Sequence, residues 1–341
     1  SSWSDILPIP DFQEHVAYDA NGNILKYKRN GNNTFASSSI NMDSLNYKYL
    51  IGTNKLEYVK DSVAAGNYSV DVDDQSVGNY DYDANGNLIS DNAEGISNIK
   101  WTVYGKISEI IKSDGTNILY TYDASGNRIS KTVASGDSTN FTWYIRDAQG
   151  NVVSVYTAGN DSLNNGDLTQ VEVHIYGNRR LGLVNVYNNV QNLAPLTDTT
   201  LPLLGQAYDI SFKRGNKLFE LTNHLGNVLV TISDKKFGIS VDDSTVNYFR
   251  ADIISAQDYY PFGMLQIART YGKNYRFGFN GQESDTEIKG RQNVMHAQFW
   301  EYDVRLGRRW NLEPVSKAWE SPYAALFNNP IKFSDPNGAD P

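Results

Sequence analysis

The 341-residue sequence contains no cysteine. Disulfide staples, thiol nucleophiles and thiolate metal sites are therefore excluded. Histidine is scarce: His15, His174, His224 and His296 are scattered and form no metal-ligand spacing. Basic residues are outnumbered, with 30 Lys and Arg against 39 Asp and Glu, giving a net charge of −9. The absence of any Lys/Arg run disfavours nucleic-acid binding and electrostatic attachment to a membrane surface. No apolar stretch reaches the length that spans a bilayer. The start, Ser1-Ser2-Trp3-Ser4-Asp5, is not a signal peptide and reads as a cut through a longer protein. A Gly-x-Ser-x-Gly elbow, a Walker A loop and a dinucleotide fingerprint are all missing, so no cofactor is expected and no metal.

Aromatic residues, in contrast, are plentiful: 23 Tyr, 13 Phe and 6 Trp against 3 Met. Tyr and β-branched residues suit pleated, half-wet surfaces, so this bias favours sheet. It also suits contact with polar ligands such as sugars. Trp101, Trp143, Trp300, Trp310 and Trp319 are read as core residues, with carbohydrate contact as the alternative. A hydrophobic share of 40% beside a charged share of 20% fits a folded chain.

One phrase recurs: Tyr18-Asp19-Ala20-Asn21-Gly22-Asn23, Tyr82-Asp83-Ala84-Asn85-Gly86-Asn87 and Tyr122-Asp123-Ala124-Ser125-Gly126-Asn127. Looser copies are Arg146-Asp147-Ala148-Gln149-Gly150-Asn151 and Thr222-Asn223-His224-Leu225-Gly226-Asn227, with a Tyr104-Gly105-Lys106 variant between the second and third. Gly86, Gly105, Gly126 and Gly150 stand 19, 21 and 24 residues apart, a step that accommodates two strands and two turns. Flanks such as Ile118-Leu119-Tyr120-Thr121-Tyr122 and Arg128-Ile129-Ser130-Lys131-Thr132-Val133 alternate roughly between apolar and polar. The leading Asp or Asn can accept backbone N–H groups two residues on, and the glycine supplies positive φ. The phrase is thus a hairpin tip. The Asp19, Asn21, Asn23 spacing also fits the start of a calcium loop, but Asn30 stands where the twelfth-position Glu belongs, so it is read as a turn. The stretches 161–167 and 195–200 read as loops, and short helices are expected near Val315–Trp319 and Pro322–Phe327.

From Asp258 the composition shifts toward Arg, Trp, Pro and Gly. The ordered phrases are Asp258-Tyr259-Tyr260-Pro261-Phe262-Gly263, then Tyr275-Arg276-Phe277-Gly278-Phe279-Asn280-Gly281-Gln282-Glu283, then Trp300-Glu301-Tyr302-Asp303-Val304-Arg305-Leu306-Gly307-Arg308-Arg309-Trp310. Ser321-Pro322-Tyr323, Asn328-Asn329-Pro330-Ile331 and Asp335-Pro336-Asn337-Gly338 close the series. The Tyr-Asp phrases resemble the YD repeats of RHS proteins, bacterial toxin-complex shell proteins and teneurins. The C-terminal phrases resemble the RHS repeat-associated core domain, in the wording found in Bacteroidetes. The resemblance implies an all-β fold: a hairpin ribbon wound into a hollow shell or part of one, over residues 1–257, with an inward-spiralling core plug over 258–341. It also implies a toxin segment beyond the core, held inside the shell. A closed ribbon removes hazardous sheet edges.

In relatives the core carries two Asp-Pro-x-Gly-like elements whose aspartates are thought to cut the chain just after the second. Asp335-Pro336-Asn337-Gly338 matches the second, and Glu313-Pro314-Val315-Ser316 matches the first only loosely, 22 residues earlier. Such chemistry needs one carboxyl protonated while the other activates water. Glu313 is longer than Asp by one methylene, Ser316 replaces the glycine, and Ala339 stands where many relatives have leucine. Two readings therefore stay open: a single-turnover aspartyl-type autoprotease with Glu313 and Asp335 catalytic, or a structural pair at a turn. In neither is the chain a multiple-turnover enzyme. Arg308, from the family's Leu-Gly-Arg phrase, is the supporting candidate, either paired with a core carboxylate or pinning the plug to the shell. The chain ends Asp340-Pro341, just past the expected cut, which fits a processed product and a truncated one equally.

The leading expectation is a shell portion of a secreted or cell-surface RHS polymorphic toxin. Its partners are a C-terminal toxin segment or cleaved toxin peptide, an upstream shell segment or partner chain, and secretion machinery. The alternatives are an extracellular adhesion or glycan-binding module, and a cargo protein captured with its export machinery. With about five recognisable turns, the piece is expected to form a partial shell or a small open one.

Overall fold

A computed structural model describes residues 9–192, 213–272, 275–315 and 317–339. The readings made on Ser1–Asp5, on the 195–200 loop, on Ser316 and on Asp340-Pro341 lie outside these residues. The chain is nearly all β, 47% strand and 4% helix, in large antiparallel sheets. It divides into two units: Ser1–Ser113 with Thr222–Leu229 and Ser255–Pro341, and Asp114–Leu221 with Val230–Ile254.

The first unit starts with a four-stranded antiparallel meander, β1 (Glu14–Tyr18), β2 (Ile24–Asn30), β3 (Asn41–Tyr49) and β4 (Leu56–Asp61). Alternation over the middle of each strand buries Tyr27 and Arg29 on β2 and Asp43, Leu45 and Tyr47 on β3, while Lys28 and Lys48 point outward. A second meander follows, β5 (Tyr80–Tyr82), β6 (Leu88–Asp91), β7 (Ile96–Trp101) and β8 (Ile107–Lys112), burying Ile96, Ile99, Ile107 and Ile110.

The second unit continues hairpin by hairpin through β9 (Asn117–Tyr122), β10 (Arg128–Ser135), β11 (Ser138–Arg146), β12 (Val152–Ala158), β13 (Thr169–Tyr176), β14 (Arg180–Asn189) and β15 (Lys217–Thr222), each paired antiparallel with the next. Tyr144, Val155 and Val171 form a small apolar core there. The long strands β16 (Val228–Ile239) and β17 (Tyr248–Tyr259) contribute residues to both units, and β18 (Leu265–Gly272) pairs with the end of β17. The remaining elements are short: β19 (Glu283–Ser284), α1 (Thr286–Lys289), β20 (Val294–Ala297), β21 (Trp300–Asp303) and β22 (Arg308–Arg309), whose strands form one small sheet.

The recurring phrase is a hairpin tip, and its chemistry repeats. Asp83 Oδ1 accepts the Asn87 backbone N–H at 2.8 Å and Oδ2 accepts the Asn87 amide at 2.9 Å. Asp19 does the same for Asn23, and Asp147 for Asn151. Asp19 Oδ1 also accepts the Asn21 N–H, so the calcium-like spacing is a self-capped turn. Gly22 and Gly86 sit at φ of 77° and 94°, where a side chain would be strained. A register shift adjoins these tips, at Ala17/Tyr18 and Asp81/Tyr82, as a bulge at the glycine requires.

In the first unit the tips are sockets for the C-terminal segment. The Ser321 N–H donates to Asn21 O at 2.6 Å, and the Asn328 amide to Gly22 O at 2.9 Å. The Tyr323 hydroxyl donates to Gly86 O at 2.6 Å, and the Leu88 N–H to Trp310 O at 2.8 Å. At the fifth tip the Asn280 N–H donates to Asn227 Oδ1 at 2.7 Å. Behind these contacts Trp300 stacks on Tyr302 at 4.9 Å, and Tyr27 meets Phe262 edge-on at 5.7 Å. Trp300 and Trp310 are buried and Trp101 and Trp143 half-buried, whereas Trp319 is exposed.

The helices expected at 315–319 and 322–327 are replaced by turns and one 3-10 turn, Leu326–Asn328. The local backbone bonds there close over three residues, such as Ala324 N–H to Ser321 O at 3.0 Å, and the others run to distant segments, such as Ser321 N–H to Asn21 O. Leu326, Phe327 and Asn328 all have positive φ, which a right-handed helix does not admit.

Candidate functional site

The two carboxyl groups singled out in the sequence come together around the Phe299–Trp300 step. The Phe299 N–H donates to Asn337 O at 2.8 Å, which fastens the Asp335–Gly338 turn to the start of β21. Asp335 is buried, and its Oδ1 accepts the Gly338 N–H at 2.8 Å and the Ala339 N–H at 3.2 Å. Its backbone carbonyl accepts the Gln282 amide at 2.7 Å, and Gln282 Oε1 accepts the Trp300 indole N–H at 3.0 Å. Gly338 packs against Trp300 at φ 82°; a Cβ there would lie 2.7 Å from the indole. The turn therefore presents the 338–339 peptide directly to the Asp335 carboxyl.

Glu313 approaches from the segment after β22. Its N–H donates to Pro322 O at 2.8 Å, and its Oε1 accepts the Val315 N–H at 3.3 Å. Burial pushes the Glu313 carboxyl above the usual carboxylate range; the Arg309 charge opposes this and the Asp335 charge adds to it. The site thus holds two acids that sense each other. One is biased toward keeping its proton, and the other lies against the backbone N–H groups of residues 338 and 339.

The guanidinium at this site is Arg309, not Arg308. Arg309 donates to Glu313 Oε2 and to Phe299 O, the latter at 2.9 Å, and lies over the Trp300 ring. Burial pulls its guanidinium down to about 10, against the upward pull of Glu313 and Asp335. Arg308 donates to the Tyr49 hydroxyl at 3.1 Å and to Asn54 O at 2.8 Å, between the Tyr49 and Tyr323 rings. The reason is geometric: neighbouring residues on β22 point to opposite faces, so only one of the two can reach the carboxylates.

Sequence reasoning preferred Arg308 to its neighbour Arg309 and passed over Gln282. Both lie inside quoted phrases, Leu-Gly-Arg-Arg-Trp and Asn-Gly-Gln-Glu, but nothing local marks them as partners of Glu313 or Asp335. It also passed over a buried ion cluster. Lys289 Nζ lies 2.5 Å from Asp91 Oδ2 and 2.7 Å from Asp303 Oδ2, and Arg305 pairs with Glu94 at 2.6 Å. Among the described residues no group of three His, Cys, Asp or Glu is arranged to hold a metal, and no helix is long and apolar enough to cross a membrane.

No protein-family model matches the sequence, and no curated protein matches it. Solved structures do match. The crystal structure of TcdB2-TccC3-TEV aligns over 95% of this chain and 13% of its own, with a TM-score of 0.58 and 15% identity. The Photorhabdus luminescens Tc holotoxin pore with a substituted TccC3 aligns over 96% of this chain and 18% of its own, with a TM-score of 0.51 and 14% identity. The chain thus has the fold of part of these structures and spans less than a fifth of their length.

Proposed function

We propose that this chain is a shell portion of a secreted or cell-surface RHS-type toxin of the Bacteroidetes wording, with residues 1–257 as wall and 258–341 as core plug. It encloses a toxin segment that follows the core and works with an upstream shell segment or partner chain and with secretion machinery. The observation that carries the reading is the seating of the C-terminal segment on the hairpin tips at Gly22, Gly86 and Asn227. A segment fastened at several points to the turns of the preceding hairpins is what a plug requires.

The carboxylate pair performs one self-cleavage, at the Gly338–Ala339 bond. Water adds to the Gly338 carbonyl carbon and gives a proton to Asp335. Protonated Glu313 donates a hydrogen bond to the carbonyl oxygen as charge develops there. The C–N bond breaks, and Asp335, 3.2 Å from the Ala339 nitrogen, returns the proton to the departing amine. The test is intact-mass measurement of the full-length chain beside Glu313→Gln and Asp335→Asn. A species ending at Gly338 in the parent that vanishes in both variants supports the reading; equal cleavage in all three rejects it.

A second reading, glycan binding, is favoured by one feature of the second unit. Phe141 and Trp143, two residues apart on β11, stack at 5.6 Å and 11° on a face where Ile145 is also exposed. Flat paired rings beside Thr and Ser hydroxyls suit a sugar face. Binding on a glycan array that disappears with Trp143→Ala would establish it.

A further inference from the structure

Asn-Gly occurs six times in the sequence, at Asn21, Asn30, Asn85, Asn165, Asn280 and Asn337. With no Cβ in the way, the glycine nitrogen of this pair can attack the asparagine side-chain carbon and close a succinimide ring. A base must take the proton of the glycine N–H, and a donor must meet the charge that develops on the asparagine Oδ1. In five of the six pairs the glycine N–H donates to a backbone carbonyl. The acceptors are Asp19 O for Gly22, Ile40 O for Gly31, Asp83 O for Gly86, Leu163 O for Gly166 and Gly278 O for Gly281. A neutral carbonyl holds such a proton but does not take it.

At the sixth pair the Gly338 N–H donates to Asp335 Oδ1 at 2.8 Å, a carboxylate that can. The Ala339 N–H, 3.2 Å from Asn337 Oδ1, stands where the oxygen gains charge. Asn337 is exposed, so ammonia can leave and water can enter. The spacing of residues does not by itself produce this arrangement. Asp19-Ala20-Asn21-Gly22 and Asp83-Ala84-Asn85-Gly86 carry their aspartates at the same distance as Asp335-Pro336-Asn337-Gly338. On those hairpin tips the carboxylate is bonded to Asn23 or Asn87, and the glycine N–H falls to the aspartate's own carbonyl. At Asp335 that carbonyl instead accepts the Gln282 amide at 2.7 Å, and the carboxylate faces the glycine.

We infer that Asn337 is a self-modification site, where the turn converts its own asparagine to aspartate and isoaspartate. The bond from Gly338 N to Asn337 Cγ forms as Asp335 takes the Gly338 proton. The Cγ–Nδ2 bond then breaks, and the same proton leaves with the amide as ammonia. Water opens the ring at either carbonyl. Opening at Cγ gives aspartate; opening at the main-chain carbonyl gives isoaspartate. In the isoaspartyl product the main chain is one methylene longer. The Asn337 carbonyl that accepts the Phe299 N–H at 2.8 Å becomes part of a free carboxylate. The turn that presents the 338–339 peptide is thereby altered by its own chemistry. None of this depends on the self-cleavage reading.

The experiment incubates the full-length Glu313→Gln chain in mildly alkaline buffer made with heavy-oxygen water. Peptide mapping follows all six asparagines, and electron-transfer fragmentation scores isoaspartate. Asn337 is expected to convert at least tenfold faster than Asn21 and Asn85, with heavy oxygen incorporated and the isoaspartyl form present. Unfolding in urea should abolish that lead. Adding Asp335→Asn keeps an oxygen that accepts the Gly338 N–H but removes the base. It should slow Asn337 at least fivefold and leave Asn21 and Asn85 unchanged. Equal rates at Asn337 and the two tips, a lead that survives unfolding, or indifference to Asp335→Asn overturns the inference. Self-cleavage is scored apart, by intact mass in the chain with Glu313 in place, and neither result decides the other.

Discussion

Replacing Lys289 with Met should destabilise the protein by about 3–5 kcal/mol, the usual cost of stripping one partner from a buried ion pair. The structure says where the cost falls. Asp91 and Asp303 are both 0% exposed. Without Lys289, Asp303 keeps its bonds from the Arg305 and Leu306 N–H groups, and the Arg305 guanidinium stays 3.7 Å away. Asp91 keeps only the Asn79 amide at 2.9 Å among its described bonds. Adding Asp91→Asn should therefore recover more than half of the loss. The pH dependence adds a second signature. In the parent, burial raises the Asp303 carboxyl but the Lys289 and Arg305 charges outweigh it and hold the group below its ordinary value. Its contribution is thus present above an unfolded pKa of about 3.9 and lost only in stronger acid. Burial would lower the Lys289 ammonium, but Asp303 and Asp91 carry it above its ordinary value, so its share is lost only in strong alkali. Across pH 5–8 the parent cluster is flat. In Lys289→Met a lone buried carboxylate takes up a proton on folding, and the deficit grows as pH rises. Urea unfolding of the full chain followed by tryptophan fluorescence measures it, with Trp310 directly beneath the Lys289 ammonium as a local reporter. A loss below about 1 kcal/mol, as for an exposed pair, or a deficit independent of pH would refute the argument.

Arg308→Lys should cost about 1.5–3 kcal/mol by losing the charged bonds to Tyr49 and Asn54, because an ammonium cannot reproduce the planar fork; self-cleavage should continue. Arg309→Lys should instead slow cleavage, and equal cleavage rates in the two variants would count against the assigned roles. Gly338→Ala, at φ 82° and against the Trp300 ring, should add about 1–3 kcal/mol of backbone strain and abolish cleavage by intact mass. Burial lifts the Glu14 carboxyl from 4.5 to about 7, against the pull of the Tyr27 hydroxyl and Arg29. The folded state then holds the extra proton, so stability falls as pH climbs from 4.5 to 7 and levels off above. At about 1.36 kcal/mol per pKa unit this amounts to roughly 3 kcal/mol at most. Glu14→Gln should flatten that slope in urea titrations at pH 5 and pH 8; an unchanged slope would show that Glu14 is not its source.

The sequence by itself determined the hairpins. An Asp or Asn that caps its own turn, followed by a glycine at positive φ, is local chemistry, complete within six residues, and so it was legible without any tertiary information. The alternation of Ile118 and Tyr120 with Leu119 and Thr121 likewise fixed which face of β9 is buried. The carboxylate candidates were legible as words in an ordered series of phrases. What only the tertiary structure decided is what those words touch. Arg308 and Arg309 are chemically identical neighbours, and the pleat of a two-residue strand, set by its pairing with Tyr302 and Asp303, sends one to Tyr49 and the other to Glu313. The Gly22 and Gly86 tips are the same turn as Gly150, yet the first two receive the C-terminal segment, through contacts spanning more than 200 residues of sequence. Where short helices were expected after Glu313, the Ser321 N–H, the Tyr323 hydroxyl and the Asn328 amide instead bond to those tips. Bonds within a turn are set by residue type and spacing; bonds between distant segments are set by register and sheet pairing, which no local stretch of sequence carries.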